Sequence, residues 1–263
     1  MIGRVRVKYR HIIQSRRDNQ LSPERLQAGD TFIVEFPKSG VTWLTMLVAN
    51  AFAIKLGFEE TVTFASVRRF IPDLHASRAV APRLSPSGIG FYKSHSAFNR
   101  TYGTTIYLVR HPYQVMRSYH KYRSTLDPQT PADLGDFIAD PRFGITAWKR
   151  HVQSWLITPR DTAQRQLHLV RYEDLLEDAA AVLAQLDANL GWGLTDATIK
   201  NAVECSTRDE MRLQEERYRC NNPAHKMNFV GTGGGTLDPE KAREVERECC
   251  RELKLLGYEV DAT

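Results

Sequence analysis

Apolar residues cluster in short runs that end abruptly, and the spacing of those runs sets the expected fold. Thr31 to Phe36 (TFIVEF) is a nearly unbroken apolar run, the pattern of a buried strand. Thr42 to Leu56 is apolar on most sides, long enough for a helix, and stopped by Gly57. GFYKSH, starting at Gly90, predicts a short strand, and TTIYLV, starting at Thr104, a clear one. Pro112 then opens a helix, at a position where a missing N–H costs nothing. A helix is predicted around Trp148 to Trp155, a strand over QLHLVRYED, and a helix from Leu175 to Leu190 stopped by Gly191. DPEKAREVERECCRELKLLG, near the C-terminus, reads as one charged amphipathic helix with Pro239 near its start. Residues 59–90, punctuated by Pro72, Pro82 and Pro86, read as irregular, and 125–145 as a loop region.

Strands alternating with helices predict an α/β fold, a central parallel sheet flanked by helices. No repeat, low-complexity tract or linker divides the 263 residues, so one domain over 1–263 is expected. Composition changes this little: 42% hydrophobic and 25% charged residues are ordinary for a globular protein. The net charge of +5 favours anionic ligands without pointing to nucleic acid. Cys205, Cys220, Cys249 and Cys250 form no CxxC pair, which argues for free thiols over a metal site or a disulfide framework. MIGRVRVKYRHIIQSRR at the start lacks the apolar segment of a signal peptide, and no run suits a membrane span. A reducing, cytoplasmic setting is therefore expected. The alternation Arg4, Arg6, Lys8, Arg10 reads as the solvated face of an edge strand.

The break after the first strand, Pro37-Lys38-Ser39-Gly40, carries candidate chemistry. A strand–loop–helix unit aims the N–H groups of the helix start at the strand's end, and such ends bind phosphate-like anions. Gly40 lets backbone approach a ligand, Ser39 and Thr42 offer hydroxyls, and Lys38 adds a full charge. The Walker A loop, GxxxxGK[ST], is the nearest general motif, but here the lysine precedes the glycine and the first glycine is missing. TTIYLV also ends in Arg110-His111 where a magnesium-holding acid would be sought. On the loop alone, a turn with an exposed lysine competes equally with an anion site.

FPKSGVTW resembles the YPKSGTTW loop of the PAPS-dependent sulfotransferases (PAPS, 3′-phosphoadenosine 5′-phosphosulfate). That resemblance implies a P-loop-like nucleotide-binding architecture. It also implies that Lys38, Ser39, Gly40, Val41 and Thr42 hold the 5′-phosphosulfate end, with Trp43 against the adenine. Val41 replaces the family's usual threonine, which removes one hydroxyl but leaves the backbone N–H. LVRHPYQVMRSYHKY is similar to the family's second signature, implying that Arg110 and Ser118 hold the 3′-phosphate. Arginine suits that role through bidentate hydrogen bonding. FYKSHSAF resembles a strand ending in Lys-x-His, which implies His95 as catalytic base and Lys93 as its cationic companion; an imidazole titrates near working pH.

The remaining segments match less closely. VRYEDL is similar to the family's YEDL, implying that Tyr172 contacts the adenine side, and ECSTRDEM aligns loosely, implying a nucleotide contact for Ser206. Glu173 and Asp174, adjacent at a strand end, are expected to diverge instead of forming an acid–base pair. In WKRHVQSW, Trp148 and Trp155 are expected in the core. The family's Arg-Lys-Gly clamp has no counterpart: in NFVGTGGGTL, Gly231 and Gly234 fit the glycines, but Phe229 and Val230 stand where the cations would be. Backbone N–H groups, Lys226 or Arg219 are the candidate replacements. Residues 59–90 and 121–147 are expected to set the acceptor, with Phe64, Phe70, Phe137 and Phe143 allowing a small apolar alcohol and the basic balance a saccharide. The expected activity is sulfuryl transfer from PAPS, with no metal. Its rivals are an atypical P-loop kinase or hydrolase and a non-catalytic nucleotide-binding module. Oligomeric state is not legible.

Overall fold

A computed structural model of the chain describes residues 26–27, 29–76, 81–84, 88–157, 166–223, 230 and 238–260. The N-terminal basic alternation and the candidates Lys226, Phe229, Gly231 and Gly234 lie outside the described residues.

The four apolar runs form one parallel sheet: β1 (Thr31–Glu35), β2 (Phe91–Ser94), β3 (Thr104–Val109) and β4 (Gln166–Arg171), in the order β2-β1-β3-β4. Register brings their carboxyl ends level, with Val34 beside both Ser94 and Tyr107, and Val109 beside Arg171. Ten helices occur among the described residues: α1 (Val41–Lys55), α2 (Val67–Phe70), α3 (Pro112–Leu126), α4 (Leu134–Ala139), α5 (Ile145–Leu156), α6 (Tyr172–Leu190), α7 (Asp196–Cys205), α8 (Arg208–Asn221), α9 (Pro239–Glu248) and α10 (Cys250–Leu255).

Side chains alternate across a strand, so the sheet serves two cores. Ile33, Phe91, Ile106, Leu108 and Val170 face α1, α6 and α7. Phe32, Val34, Tyr92, Tyr107 and Val109 face α3, α5, α9 and α10. A strand flanked on both faces cannot alternate apolar with polar, which is why TFIVE reads as a continuous run. Burial of α1 on nearly every side has the same cause: it lies against β1 and is covered by α7. Its end is a Schellman turn, in which Phe58 N–H donates to the Ala53 carbonyl and Gly57 N–H to that of Ile54, with Gly57 at φ +74°.

The elements differ from the sequence expectation at their margins. α6 begins at Tyr172, three residues early, because Glu173 and Asp174 fill a first helical turn, where the helix dipole favours acids. The expected loop 125–145 contains α4, capped by Asp133, whose carboxylate accepts from Gly135 N and Asp136 N. The single C-terminal helix is broken at Cys249 into α9 and α10. α7 and α8 lie where no element was expected, yet each opens on a threonine N-cap: Thr195 accepts from Thr198 N, and Thr207 from Glu210 N. Thr207 and Glu210 have capping-box spacing, a signal present in the sequence. Trp148 and Trp155 are core residues, as expected.

Candidate functional site

Lys38, His95, Arg110 and Tyr172 each lie beyond the carboxyl end of a different strand, and the level strand ends bring them to one rim. Open parallel sheets bind ligands at that rim, on either side of the point where strand order reverses. A cavity of about 330 Å³ opens there, lined among others by Lys38, Trp43, His95, Arg110, Ser118 and Tyr172.

The loop from Glu35 to Val41 folds around a buried carboxylate. Glu35, 2% exposed, accepts from Lys38 N at Oε1 (3.2 Å) and from Val41 N at Oε2 (2.8 Å). Val41 N–H, expected to remain for a phosphate, is therefore engaged by Glu35. Lys38 has φ +75°, the left-handed conformation that L residues seldom adopt. Its ammonium sits 4.7 Å above the Tyr122 ring. Burial lowers its pKa to about 8, against the opposing pull of Glu35. Ser39 departs from expectation: it is buried, and its hydroxyl donates to the Phe36 carbonyl (2.9 Å), away from the cavity wall.

Gly40 caps α1 at φ +113°, and a Cβ there would lie 2.3 Å from Tyr172 Cδ2. The close approach packs the loop against the ring that Arg110 covers at 4.4 Å and that Trp43 meets edge-on at 5.8 Å. Gly40→Ala is expected to cost about 2–4 kcal/mol through left-handed strain and overpacking, and to displace Tyr172. Urea unfolding and the tyrosine near-ultraviolet dichroism check both effects; an unchanged midpoint contradicts them.

Ser206 is fully buried and outside the cavity wall. Its carbonyl accepts from Trp43 Nε1 (2.9 Å), and its hydroxyl accepts from Asn50 Nδ2 (3.1 Å). It therefore orients Trp43 from behind. Asn50 joins this support to the 62 region by accepting from Val62 N (2.9 Å). Asn50→Ala strands two buried polar groups and is expected to destabilise by about 2 kcal/mol or more. Thermal and urea unfolding measure the loss, and a change under 0.5 kcal/mol contradicts it.

On the β2 side, Lys93 pairs with Asp73 (3.0 Å), and His95 N–H donates to His75 Nε2 (2.8 Å). Burial, reinforced by Lys93, lowers the His95 pKa well below the ordinary histidine value, so its imidazole is neutral at pH 7. Burial raises the Asp73 pKa, but Lys93, by charge and by hydrogen bond, and the His75 N–H, which donates to Asp73 Oδ1 (2.9 Å), outweigh it and hold the carboxyl ionised. His151 lies deeper: Nε2–H donates to the Ser96 carbonyl (3.0 Å), which leaves Nδ1 to accept from Tyr107 OH (2.9 Å). Burial lowers its pKa to about 4.

Several residues on the wall were not foreseen. Gln114, Arg117 and Lys121 share the α3 face of Ser118, at the three- and four-residue spacings that mark one side of a helix. Arg208, at the start of α8, also lines the cavity, whereas Arg219 near that helix's end does not. Glu173 and Asp174 diverge as expected: Glu173 accepts from His111 N and Tyr258 OH, and Asp174 pairs with Arg171. Of the aromatic residues considered for the acceptor, Phe137 and Phe143 are core, and Phe64 and Phe70 pack against the α1 side of the sheet.

Residues 28–228 match the family model described as a sulfotransferase domain. The chain belongs to the sulfotransferase domain family. Human sulfotransferase 2B1 is 26% identical over 196 residues, 70% of this chain and 52% of that protein. Mouse carbohydrate sulfotransferase 5 is 30% identical over 165 residues, 58% of this chain and 41% of that protein. The chain thus spans about half the length of these curated relatives. Retinol dehydratase, solved with retinol and PAP, superposes with a TM-score of 0.64 at 20% identity, covering 90% of this chain and 84% of that one. Mouse SULT7A1 complexed with PAP gives 0.57 at 17% identity, covering 87% and 86%. These likenesses establish the sulfotransferase fold around the parallel sheet. Among the described residues no helix is long and apolar enough to cross a membrane, and all four cysteines of this family member are free.

Proposed function

We propose that this member of the sulfotransferase domain family transfers the sulfuryl group of PAPS to a hydroxyl or amine acceptor. The observation that supports it most is the convergence of Lys38, Lys93, His95 and Arg110 with the Trp43–Tyr172 pair on one cavity. The cations suit a polyanionic nucleotide, and the aromatic pair suits an adenine face. In this reading Lys38, Gly40, Val41 and Thr42 surround the 5′-phosphosulfate, Arg110 and Ser118 take the 3′-phosphate, and Trp43 and Tyr172 flank the base. Ser39 and Ser206 act behind them, through the loop and through Trp43. Arg117 or Arg208 supplies the cation that Phe229 and Val230 do not, and Gly231 keeps its assignment to the phosphate loop. One domain over 1–263 carries the whole site.

The chemistry balances without further reactants. The acceptor oxygen or nitrogen attacks sulfur in line, and its proton passes to His95. The sulfur–oxygen bond to the 5′-phosphate breaks, and that bridging oxygen keeps the electron pair beside Lys38. Lys93 shares the charge. Placed donors of this kind contribute a few kcal/mol each to transition-state stabilisation, as an order of magnitude. A small alcohol or a saccharide is the acceptor class; retinol and androsterone accompany a structural relative in its crystals.

The deciding experiment is radiolabelled sulfate transfer from PAPS to a panel of alcohols, amines and saccharides, with products identified by mass. Transfer is expected with at least one acceptor. Magnesium-dependent phosphate transfer from ATP in its place would support the kinase alternative. Stabilisation against heat by adenosine 3′,5′-bisphosphate should exceed that by ATP.

A further inference from the structure

We propose that Glu35 is a positioning residue for His95: its carboxylate keeps the imidazole proton on Nδ1 and leaves Nε2 bare toward the cavity. This rests on reading His95 as the base. A buried carboxylate is costly unless it is paired and hydrogen-bonded; Glu35 accepts from Lys38 N and Val41 N, and its Oε1 also faces His95. Glu35 Oε1 lies 3.6 Å from His95 Nδ1. That nitrogen is buried and makes no hydrogen bond among the described residues, while the His95 backbone is anchored by His75. The gap is slightly longer than a hydrogen bond, and catalytic contacts commonly tighten when substrate binds.

The geometry assigns the two nitrogens separate work. When Nε2 takes the acceptor's proton, His95 becomes an imidazolium that retains its Nδ1 proton. The Glu35 carboxylate then faces that positive charge across a buried gap. Protonated Glu35 does the reverse: its O–H donates to Nδ1, the histidine proton sits on Nε2, and the base is blocked. Burial raises the Glu35 pKa to about 7, although Lys93, Val41 N–H and Lys38 oppose the shift. Other charged or titratable groups around the pair are Asp73 and His75 from the segment before β2, His151 on α5 and Tyr107 on β3. Asp73 is held ionised by Lys93, and burial keeps His75 and His151 neutral and Tyr107 protonated near pH 7. Glu35 is therefore the group that switches there.

Nitrogen-15 NMR on histidine-labelled protein tests this without turnover, with His95 assigned through His95→Asn. In the wild type, the His95 proton should move from Nε2 to Nδ1 as pH rises through about 7. In Glu35→Gln no pH-linked switch should occur. The same pH-independent tautomer in both proteins would overturn the proposal. In turnover, Glu35→Gln should lower kcat roughly 10–100-fold and remove the acid limb of kcat/KM, with adenosine 3′,5′-bisphosphate affinity within about threefold of wild type. Glu35→Gln should cost far less in the His95→Ala background than in the wild type, because the two act as a unit. Additive losses, or an unchanged kcat in Glu35→Gln, would overturn it as well. A wild-type protein that sulfates no acceptor would refute sulfuryl transfer, and the spectra would still decide the tautomer.

Discussion

His95→Ala is expected to lower turnover with PAPS by about 10²–10⁴-fold, the usual worth of a positioned general base. Affinity for adenosine 3′,5′-bisphosphate should change little, since the nucleotide cations and the aromatic pair remain in place. The base role follows from environment as well as position. Burial, strengthened by Lys93, depresses the His95 pKa, so the imidazole stays uncharged as pH falls through the ordinary histidine range. Acid inactivation near neutrality should accordingly trace to Glu35, whose pKa burial raises to about 7. Isothermal calorimetry with adenosine 3′,5′-bisphosphate and initial rates with PAPS separate binding from chemistry. Residual turnover above a tenth of wild type would remove His95 from the reaction.

Lys38→Ala should reduce kcat by roughly 10²–10³-fold, the scale seen when one transition-state donor is removed from a closed site. The left-handed backbone at Lys38, with φ +75°, is held by Glu35 accepting the residue's own N–H. It turns the ammonium into the cavity, over Tyr122. Burial lowers the Lys38 pKa from 10.5 to about 8. The charged form therefore dominates below about 8 and is lost above it, and kcat/KM should fall as pH rises through that value. A bound polyanion favours the ammonium, so the corresponding limb of kcat should lie at higher pH. Lys38→Arg keeps its charge at all working pH and should abolish the basic limb even if the rate is lower. A basic limb that persists in Lys38→Arg would assign it to another group.

The site was legible in outline because its anchors follow strands whose apolar runs stand out. Lys38, His95, Arg110 and Tyr172 could be ranked at one rim from chain order, and the structure gathers them there. Side-chain direction was not legible. Ser39 and Ser206 look equally available in the sequence, yet both hydroxyls turn inward, to the Phe36 carbonyl and to Asn50. Phe137 and Phe143, expected among the residues that set the acceptor, join the core because α4 folds onto α3 and α5. In the sequence Glu35 is one residue of the TFIVEF strand, and nothing local shows that six residues of loop will close over its carboxylate.

Local order along the chain was enough to specify the strands, the helix that follows the lysine loop, and the family of the domain. Those features depend on periodicity and on residues adjacent in sequence. Tertiary structure alone decided which groups are buried together: Glu35 with His95 and Lys38, Asn50 with Ser206, Gly40 with Tyr172. Burial in a shared low-dielectric space sets the charge of each group, and it arises between segments far apart in the chain. Lys38 is a marked residue in the sequence; its lowered pKa and its carboxylate neighbour belong to the fold.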